Sequence, residues 1–175
     1  MSRRNGRILA VQALYAYDVG GSPLEDVLSF EWTKHDPRSD PLIPTTQKLK
    51  DKTPQSKASD TSSDSQDEQE EDSLSPARKS ELDFARLLVS GTVSRLEDID
   101  KRIKRHLAEG WDFDRLDRVT LAILRVSVFA LLWQKDLTPT IVIDEAIAIS
   151  KAFALDDSFK FINAILDTIA KEGLS

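Results

Sequence analysis

The sequence predicts an all-α protein of about seven helices, on three observations. Apolar residues recur at the three- and four-residue spacing of one helix face over most of the chain. No stretch alternates polar and apolar residues between turn signals, as a half-exposed strand would. The segment from Leu116 to Trp133 is apolar nearly all round, which is typical of a central helix buried on most sides.

Length and composition restrict the class of protein. The chain has 175 residues and is 40% apolar, which suits one domain, or two small subdomains that share a core. It has no cysteine, which excludes disulfides and thiolate chemistry and fits a reducing cytoplasm. No apolar signal segment opens the chain, and the longest apolar run is broken by Arg125 and Ser127. We therefore expect a soluble cytoplasmic protein with no membrane contact.

One segment differs from the rest. Residues 36–80 are rich in Pro, Ser, Thr, Asp and Gln, contain no aromatic residue, and hold ten acidic against seven basic residues. Such a composition cannot bury enough apolar area to offset the entropy lost on ordering. The sequence predicts a disordered acidic insertion here, most simply a tolerated surface segment.

The helices before the insertion have clear boundaries. A helix is predicted over 5–18 and ends at Gly20-Gly21. Ser22 is expected to cap a second helix whose first residue is Pro23, and which runs to about Thr33.

After the insertion, Ser80 is expected to cap a helix that continues to Leu107 and is bent or split at Gly91. The central helix follows. Thr138 and Pro139 then form a helix start, since Pro is favoured at the first helical position. The turn 156–158 is expected to cap the last helix, which ends at Gly173.

The last helix has one stripe that we expect to face the core, formed by Phe159, Ile162, Leu166 and Ile169. Phe161 lies about 100° from the middle of that stripe. It either packs against a neighbouring helix or, beside Lys160, stacks on an unpaired base. Asp156 and Asp157 would repel a phosphate there, but they could accept hydrogen bonds from base amines.

The sequence offers little for catalysis. It contains no nucleotide-binding loop, no metalloprotease motif and only two histidines, His35 and His106. Asp144 and Glu145 are adjacent on a helix and point about 100° apart, so they do not share one substrate atom easily. We expect no catalytic residue, metal or cofactor.

A cationic cluster opens this acidic chain, whose net charge is −6. Arg3, Arg4 and Arg7 fall within two turns of the chain start, and such arginines either bind phosphates or keep the surface soluble. The residues alone thus indicate a binding domain, and they leave RNA and protein open as partners.

Three blocks of the sequence resemble the NusB family of transcription antitermination factors. These blocks are RRNGRILAVQALYAYDV, LDRVTLAILRVSVFAL and TPTIVIDEAIAISKAFALDDSFKFINAILDTIA. The similarity covers about residues 3–32 and 81–170, in the family's order. It implies a seven-helix fold in two subdomains, one of 1–35 with about 76–95 and one of about 96–175, with 36–80 as an insertion that typical members lack.

The resemblance also implies a function. It implies a non-enzymatic protein that binds a boxA-type element of single-stranded nascent ribosomal RNA, together with the ribosomal protein NusE, in an RNA polymerase antitermination complex. The residues that match the family's RNA-binding positions are Arg3, Arg4, Arg7, Gln12, Tyr15, Asp157, Ser158, Lys160 and Phe161.

The chain departs from the family pattern at three positions. Gly6 replaces a common Ala, which should loosen the helix start by about 1 kcal/mol. Ala164 replaces a usual Gly and should stabilise the last helix. Phe129-Ala130 stands where many members have Tyr-Glu, so it is open whether Ala130 weakens the NusE contact.

Two other functions are compatible with these blocks. One is the RNA-binding part of a ribosomal RNA cytosine methyltransferase, but that enzyme needs a catalytic domain with a cysteine, which this chain lacks. The other is a protein-interaction scaffold without RNA affinity, which salt-dependent RNA binding would exclude. Whether the free protein is a monomer or a homodimer is open.

Overall fold

The computed structural model describes residues 2–34, 74–134 and 136–173. Within these ranges the chain forms seven α-helices, two short 3-10 helices and no β-strand, so the all-α prediction is confirmed. The α-helices are α1 (Ser2–Gly20), α2 (Leu24–Ser29), α3 (Pro76–Ser94), α4 (Leu96–Arg105), α5 (Arg118–Trp133), α6 (Pro139–Phe153) and α7 (Ser158–Gly173). The 3-10 helices are Glu31–Lys34 and Phe113–Arg115.

Helix α5 is the centre of the fold, as its composition predicted. Every residue from Thr120 to Ala130 is buried, because α5 packs against α1, α3, α4, α6 and α7. The helix begins at Arg118 because Asp117 caps it. The Asp117 carboxylate accepts hydrogen bonds from the Thr120 backbone N–H at 3.0 Å and from the Thr120 hydroxyl at 3.1 Å.

A buried arginine ties α5 to two other helices. The Arg125 guanidinium donates two hydrogen bonds of 2.8 Å to Asp100 on α4, and its Nη1 lies 3.3 Å from Asp18 on α1. Burial alone would lower the pKa of Arg125, but the hydrogen bonds and charges of Asp100 and Asp18 raise it above its usual value. The network thus fixes the end of α1 against the central helix.

Two glycines allow close packing on α3. A Cβ atom on Gly6 would lie 2.9 Å from the Glu81 backbone oxygen and 2.8 Å from the Phe84 ring. The Gly at position 6, expected only to loosen α1, therefore lets α3 approach. At Gly91 a Cβ atom would overlap the ring of Phe129, at 2.1 Å. The predicted bend or split at Gly91 is wrong, since α3 continues to Ser94 and the chain breaks at Arg95 instead.

Two predicted caps are wrong. The residue that precedes α2 is Pro23 rather than Ser22, and α2 ends at Ser29 because Phe30 adopts a left-handed conformation with φ 56°. Helix α3 is capped by Ser75 rather than Ser80: the Ser75 hydroxyl accepts a hydrogen bond from the Arg78 N–H, and Pro76 is the first helical residue. The sequence thus predicts the cap of α2 one residue too early and the cap of α3 five residues too late.

The predicted disordered insertion 36–80 lies outside the described residues up to residue 73. Its last five residues, 76–80, belong to α3, so the insertion is predicted too long at this end. The expected boundary near residue 95 coincides with the break between α3 and α4, while the division into two subdomains stays a prediction.

The remaining starts and stops follow the sequence. Thr138 precedes α6 and Pro139 opens it, although the Thr138 side chain makes no capping hydrogen bond. Helix α7 begins at Ser158 after a turn in which Asp157 has φ 68°, and it ends at Gly173. No helix in the described ranges is long and apolar enough to cross a membrane.

Candidate nucleic-acid interface

A groove of about 820 Å³ lies between the start of α7 and the segment that joins α4 to α5. We call it the α7 groove. Trp111, Arg115 and Asp117 lie on one side, and Asp156, Lys160 and Phe161 on the other. Its volume falls within the range of ligand-binding clefts, so it can hold a group of the size of a nucleobase.

Two aromatic rings form the apolar part of the α7 groove. The rings of Trp111 and Phe161 are stacked, with centroids 4.7 Å apart and planes inclined by 17°. Trp111 is 56% exposed, whereas Phe161 is half-buried and packs against the core. Of the two alternatives for Phe161, the structure thus shows packing against a neighbouring segment, and one face of its ring is covered by Trp111.

The core stripe of α7 differs from its prediction at one position. Ile162, Leu166 and Ile169 are buried as expected, but Phe159 is not. The ring of Phe159 is half-buried below two ammonium groups, those of Lys151 at 4.8 Å and Lys160 at 5.7 Å. Phe159 lies in the first turn of α7, and spacing alone does not reveal how far the neighbouring elements cover the start of a helix.

The charges of the α7 groove are mixed rather than basic. Lys160 Nζ lies 2.7 Å from Asp157 Oδ1, and both side chains are exposed, so this pair contributes little to stability. Asp117, Asp156 and Asp157 offset the positive charges of Arg115 and Lys160 along the walls. The groove therefore favours a neutral group with amine donors over a bare phosphate.

His106 borders the α7 groove and contacts the end of α7. Its Nδ1 lies 2.7 Å from the Arg102 carbonyl oxygen, and its Nε2 lies 2.9 Å from Glu172 Oε1. Interaction with His106 holds the pKa of Glu172 below its usual value, assisted by the charges of Arg105 and Arg102. The carboxylate thus helps to fix one wall of the groove.

The predicted arginine cluster divides into a surface part and a buried part. Arg3 and Arg4 are exposed, and the Arg3 guanidinium lies 5.7 Å from the centre of the Phe84 ring. Arg7 is 5% exposed and its guanidinium lies 5.4 Å from the same ring. Burial lowers the pKa of Arg7, which the charge of Glu145 opposes. Arg7 therefore packs inside the protein, and this placement does not favour the phosphate contact expected for it.

Gln12 and Tyr15 lie between the two candidate regions. Both are half-buried and line a small apolar pocket with Val119 on α5 and Phe153 on α6. Tyr15 also packs against the core. Their predicted contact with RNA would use only the part of each side chain that stays exposed.

The structure brings four of the predicted residues together and separates the others. Asp157, Ser158, Lys160 and Phe161 share the α7 groove. Arg3 precedes Asp18 by fifteen residues on α1, which is about 22 Å along the helix. Asp18 pairs with Arg118 at 3.3 Å, and Arg118 directly follows Asp117, which lines the groove. The arginine cluster therefore lies at the far end of α1.

The sequence interpretation missed Trp111 and Arg115. Both lie in the connection between α4 and α5, where no periodic pattern indicates burial. The available signal was a tryptophan directly after Gly110, because glycine marks a turn and connecting segments run over the surface, where binding residues are common. No group of three or more metal-ligating side chains occurs in the described ranges.

Comparison with known proteins places the chain in a family. The model of the NusB family matches residues 47–171. The chain is 40% identical over 169 residues to the transcription antitermination protein NusB of Treponema denticola, covering 97% of this chain and 96% of the relative. It is 37% identical over 169 residues to the protein of the same name from Geobacter sp. (strain M21), covering 97% and 94%.

Solved structures agree with this assignment. NusB of T. maritima has a TM-score of 0.64 and 29% identity, covering 97% of this chain and 91% of that one. A structure of the antitermination factors NusB and NusE in complex with dsRNA has a TM-score of 0.66 at 22% identity, covering 98% and 97%, which shows a common fold. From the family model, the relatives and the fold together, this chain belongs to the NusB family.

Proposed function

We propose that this chain is a transcription antitermination factor that binds a boxA-type element of single-stranded nascent ribosomal RNA together with the ribosomal protein NusE. Relatives at 37–40% identity over nearly the whole chain carry the name of transcription antitermination protein. A protein of the same fold has been solved with NusE in complex with dsRNA. In this role the protein works in the cytoplasm, within an RNA polymerase complex, and without catalysis.

The observation that carries the proposal is the α7 groove. It joins an exposed aromatic surface to a lysine and to carboxylates that accept hydrogen bonds. Unpaired RNA bases are recognised by stacking on aromatic side chains and by hydrogen bonds to their edges. Four of the residues that match the family's RNA-binding positions line this one groove.

The α7 groove and the exposed arginines of α1 suit different parts of the RNA. The mixed charge of the α7 groove suits bases, whereas the exposed Arg3 and Arg4 suit the phosphate backbone. Two exposed arginines supply little of the electrostatic affinity that RNA binding usually needs. We therefore expect the free protein to bind RNA weakly and NusE to complete the site.

Ala130, which stands where many family members have Glu, is not a surface residue in this chain. Ala130 is 2% exposed and its neighbour Phe129 fills the space left by Gly91. Ala130 is thus part of the hydrophobic core of this chain. We propose that NusE binds without a direct contact to Ala130.

Fluorescence anisotropy tests the proposal. A labelled boxA-type RNA is titrated with the full chain, with and without NusE, at low and at moderate salt. We expect the affinity to fall as the salt concentration rises, because phosphate contacts release counterions. We also expect the affinity to rise when NusE is present, because NusE completes the site. A folded protein that binds no RNA under any of these conditions would contradict the proposal and favour the scaffold function.

A further inference from the structure

Trp111 differs from the two other tryptophans of the chain. Trp32 is half-buried and its indole N–H lies 3.4 Å from the Val27 carbonyl oxygen. Trp133 is stacked on Phe129 and covered by the Arg95 guanidinium at 4.8 Å. Trp111 is 56% exposed, and one face of its ring is stacked on Phe161. An exposed tryptophan costs solvation free energy that the fold does not recover.

We propose that Trp111 is the residue on which an RNA base stacks, with Phe161 as its support. This inference rests on the proposed function and identifies the contact surface of that same site. The sequence left Phe161 either to stack on a base or to pack against a neighbouring helix, but Trp111 covers one face of that ring and the ring is packed against the core. A base that enters the α7 groove therefore meets the indole first.

Stacking of the two rings prepares Trp111 for this role. A base–aromatic stack is strongest when the side chain is already held in place, because less conformational entropy is then lost on binding. The parallel ring of Phe161, fixed in the first turns of α7, restricts the Trp111 side chain in the free protein. Phe161 thus acts as a positioning residue rather than as the contact.

The charges around Trp111 favour a base over a phosphate or an acidic peptide. Asp117, Asp156 and Asp157 line the same groove and would repel an anionic group. A neutral base can enter while its phosphates stay outside, and the carboxylates can accept hydrogen bonds from its exocyclic amines. The occupant that fits is an unpaired base of single-stranded RNA.

Tryptophan fluorescence tests this directly. The Trp32→Phe, Trp133→Phe double variant leaves Trp111 as the sole tryptophan of the chain. In the presence of NusE, an unlabelled single-stranded boxA-type RNA should quench the Trp111 emission to saturation. A variant in which Trp111→Phe is added removes the signal and corrects for emission from NusE. The quenching should give the same Kd as anisotropy measured on the labelled RNA.

A second experiment compares single-stranded RNA with a duplex of the same sequence. A duplex of the same sequence has its bases already stacked, so it should not quench Trp111 at concentrations at which the single strand saturates. Equal quenching by both forms would overturn the base-stacking assignment. Binding seen by anisotropy with no change in Trp111 emission would overturn it as well and leave the proposed function intact, whereas no binding by either method would overturn both.

Substitution separates stacking from bulk apolar contact. Trp111→Ala should weaken RNA binding roughly tenfold or more, while Trp111→Phe, which keeps a ring, should weaken it about threefold or less. Leu87→Ala is the matched control, since Leu87 is an exposed apolar residue that does not line the α7 groove. Equal affinity of Trp111→Ala and the unmodified chain, with unchanged circular dichroism, would overturn the inference.

Discussion

The amino-terminal end of α1 and the α7 groove match the family's RNA-binding motifs equally well, yet the fold treats them differently. At the end of α1, Arg7 is buried on the ring of Phe84 and only Arg3 and Arg4 remain exposed. At the groove, Trp111 stays exposed and four motif residues line one cleft. Residue type thus indicates the chemistry of a ligand, while burial decides whether the residue can reach it.

The packing of α3 explains the difference. Gly6 allows α3 to approach α1 closely, and the Arg7 guanidinium lies over the ring of Phe84 on α3. The negative charge of Glu145 compensates part of the cost of burying Arg7. Helix α7 instead begins after a left-handed turn at Asp157, and Ser158, Lys160 and Phe161 of its first turn line the groove. Arg7 of the first motif is therefore part of the packed interior, whereas the second motif stays available for binding.

The largest expected effect tests the buried end. Arg7→Ala should lower the free energy of unfolding by about 2 kcal/mol, since it removes a buried stem and leaves the Glu145 charge uncompensated. The RNA affinity of the folded protein should change less than about twofold, because only 5% of Arg7 is exposed. Chemical denaturation and anisotropy on the same sample measure the two quantities.

A charge-only variant sharpens that test. Arg7→Met keeps the apolar stem, and adding Glu145→Gln should restore part of the stability that Arg7→Met loses. A folded Arg7→Met protein with RNA binding weakened tenfold would instead show that Arg7 acts at the interface.

At the α7 groove we expect the reverse of the Arg7 result, a substitution that changes RNA affinity more than stability. Phe161→Ala should weaken RNA binding roughly tenfold, because Trp111 loses the ring that positions it and one stacked base contributes about 1–3 kcal/mol. Phe159→Ala is the matched control, an aromatic residue of the same helical turn that does not line the groove. If both variants bind RNA equally well, the groove is not the site.

A smaller effect is expected from the exposed arginines. The Arg3→Gln, Arg4→Gln double variant should lower the slope of log Kd against log salt by about 1.4 or less, since each phosphate contact on a single strand contributes about 0.7. Arg95→Gln, an exposed arginine over Trp133, should leave the slope unchanged. An unchanged slope in the double variant would make these arginines a solubility feature.

The smallest effect concerns the wall of the groove. The pKa of Glu172 is lowered in the folded state by His106, so its contribution to stability is present at neutral pH and is lost as the pH falls through that lowered pKa. Glu172→Gln should therefore reduce the melting temperature slightly at pH 7 and not at all in strong acid. Thermal unfolding over a pH series measures this, and a larger difference in acid than at neutral pH would contradict it.

Helix positions could be predicted from the sequence because periodicity and proline act locally. Leu116–Trp133 and Pro139 were placed correctly on these grounds, although the first turn of α5 starts two residues later. The exposure of Arg7, Phe159 and Trp111 could not be predicted in the same way. It depends on how closely α3 approaches α1, on the turn at Asp157, and on the path of the chain between α4 and α5.

The central claim, that RNA lies in the α7 groove, is tested most directly by photo-crosslinking. A bromouridine-substituted boxA-type RNA is irradiated with the full chain and NusE, and crosslinked tryptic peptides are identified by mass spectrometry. The account predicts crosslinks in the peptides 106–115 and 161–171, which contain Trp111 and Phe161. Crosslinks confined to other peptides of this chain would contradict it.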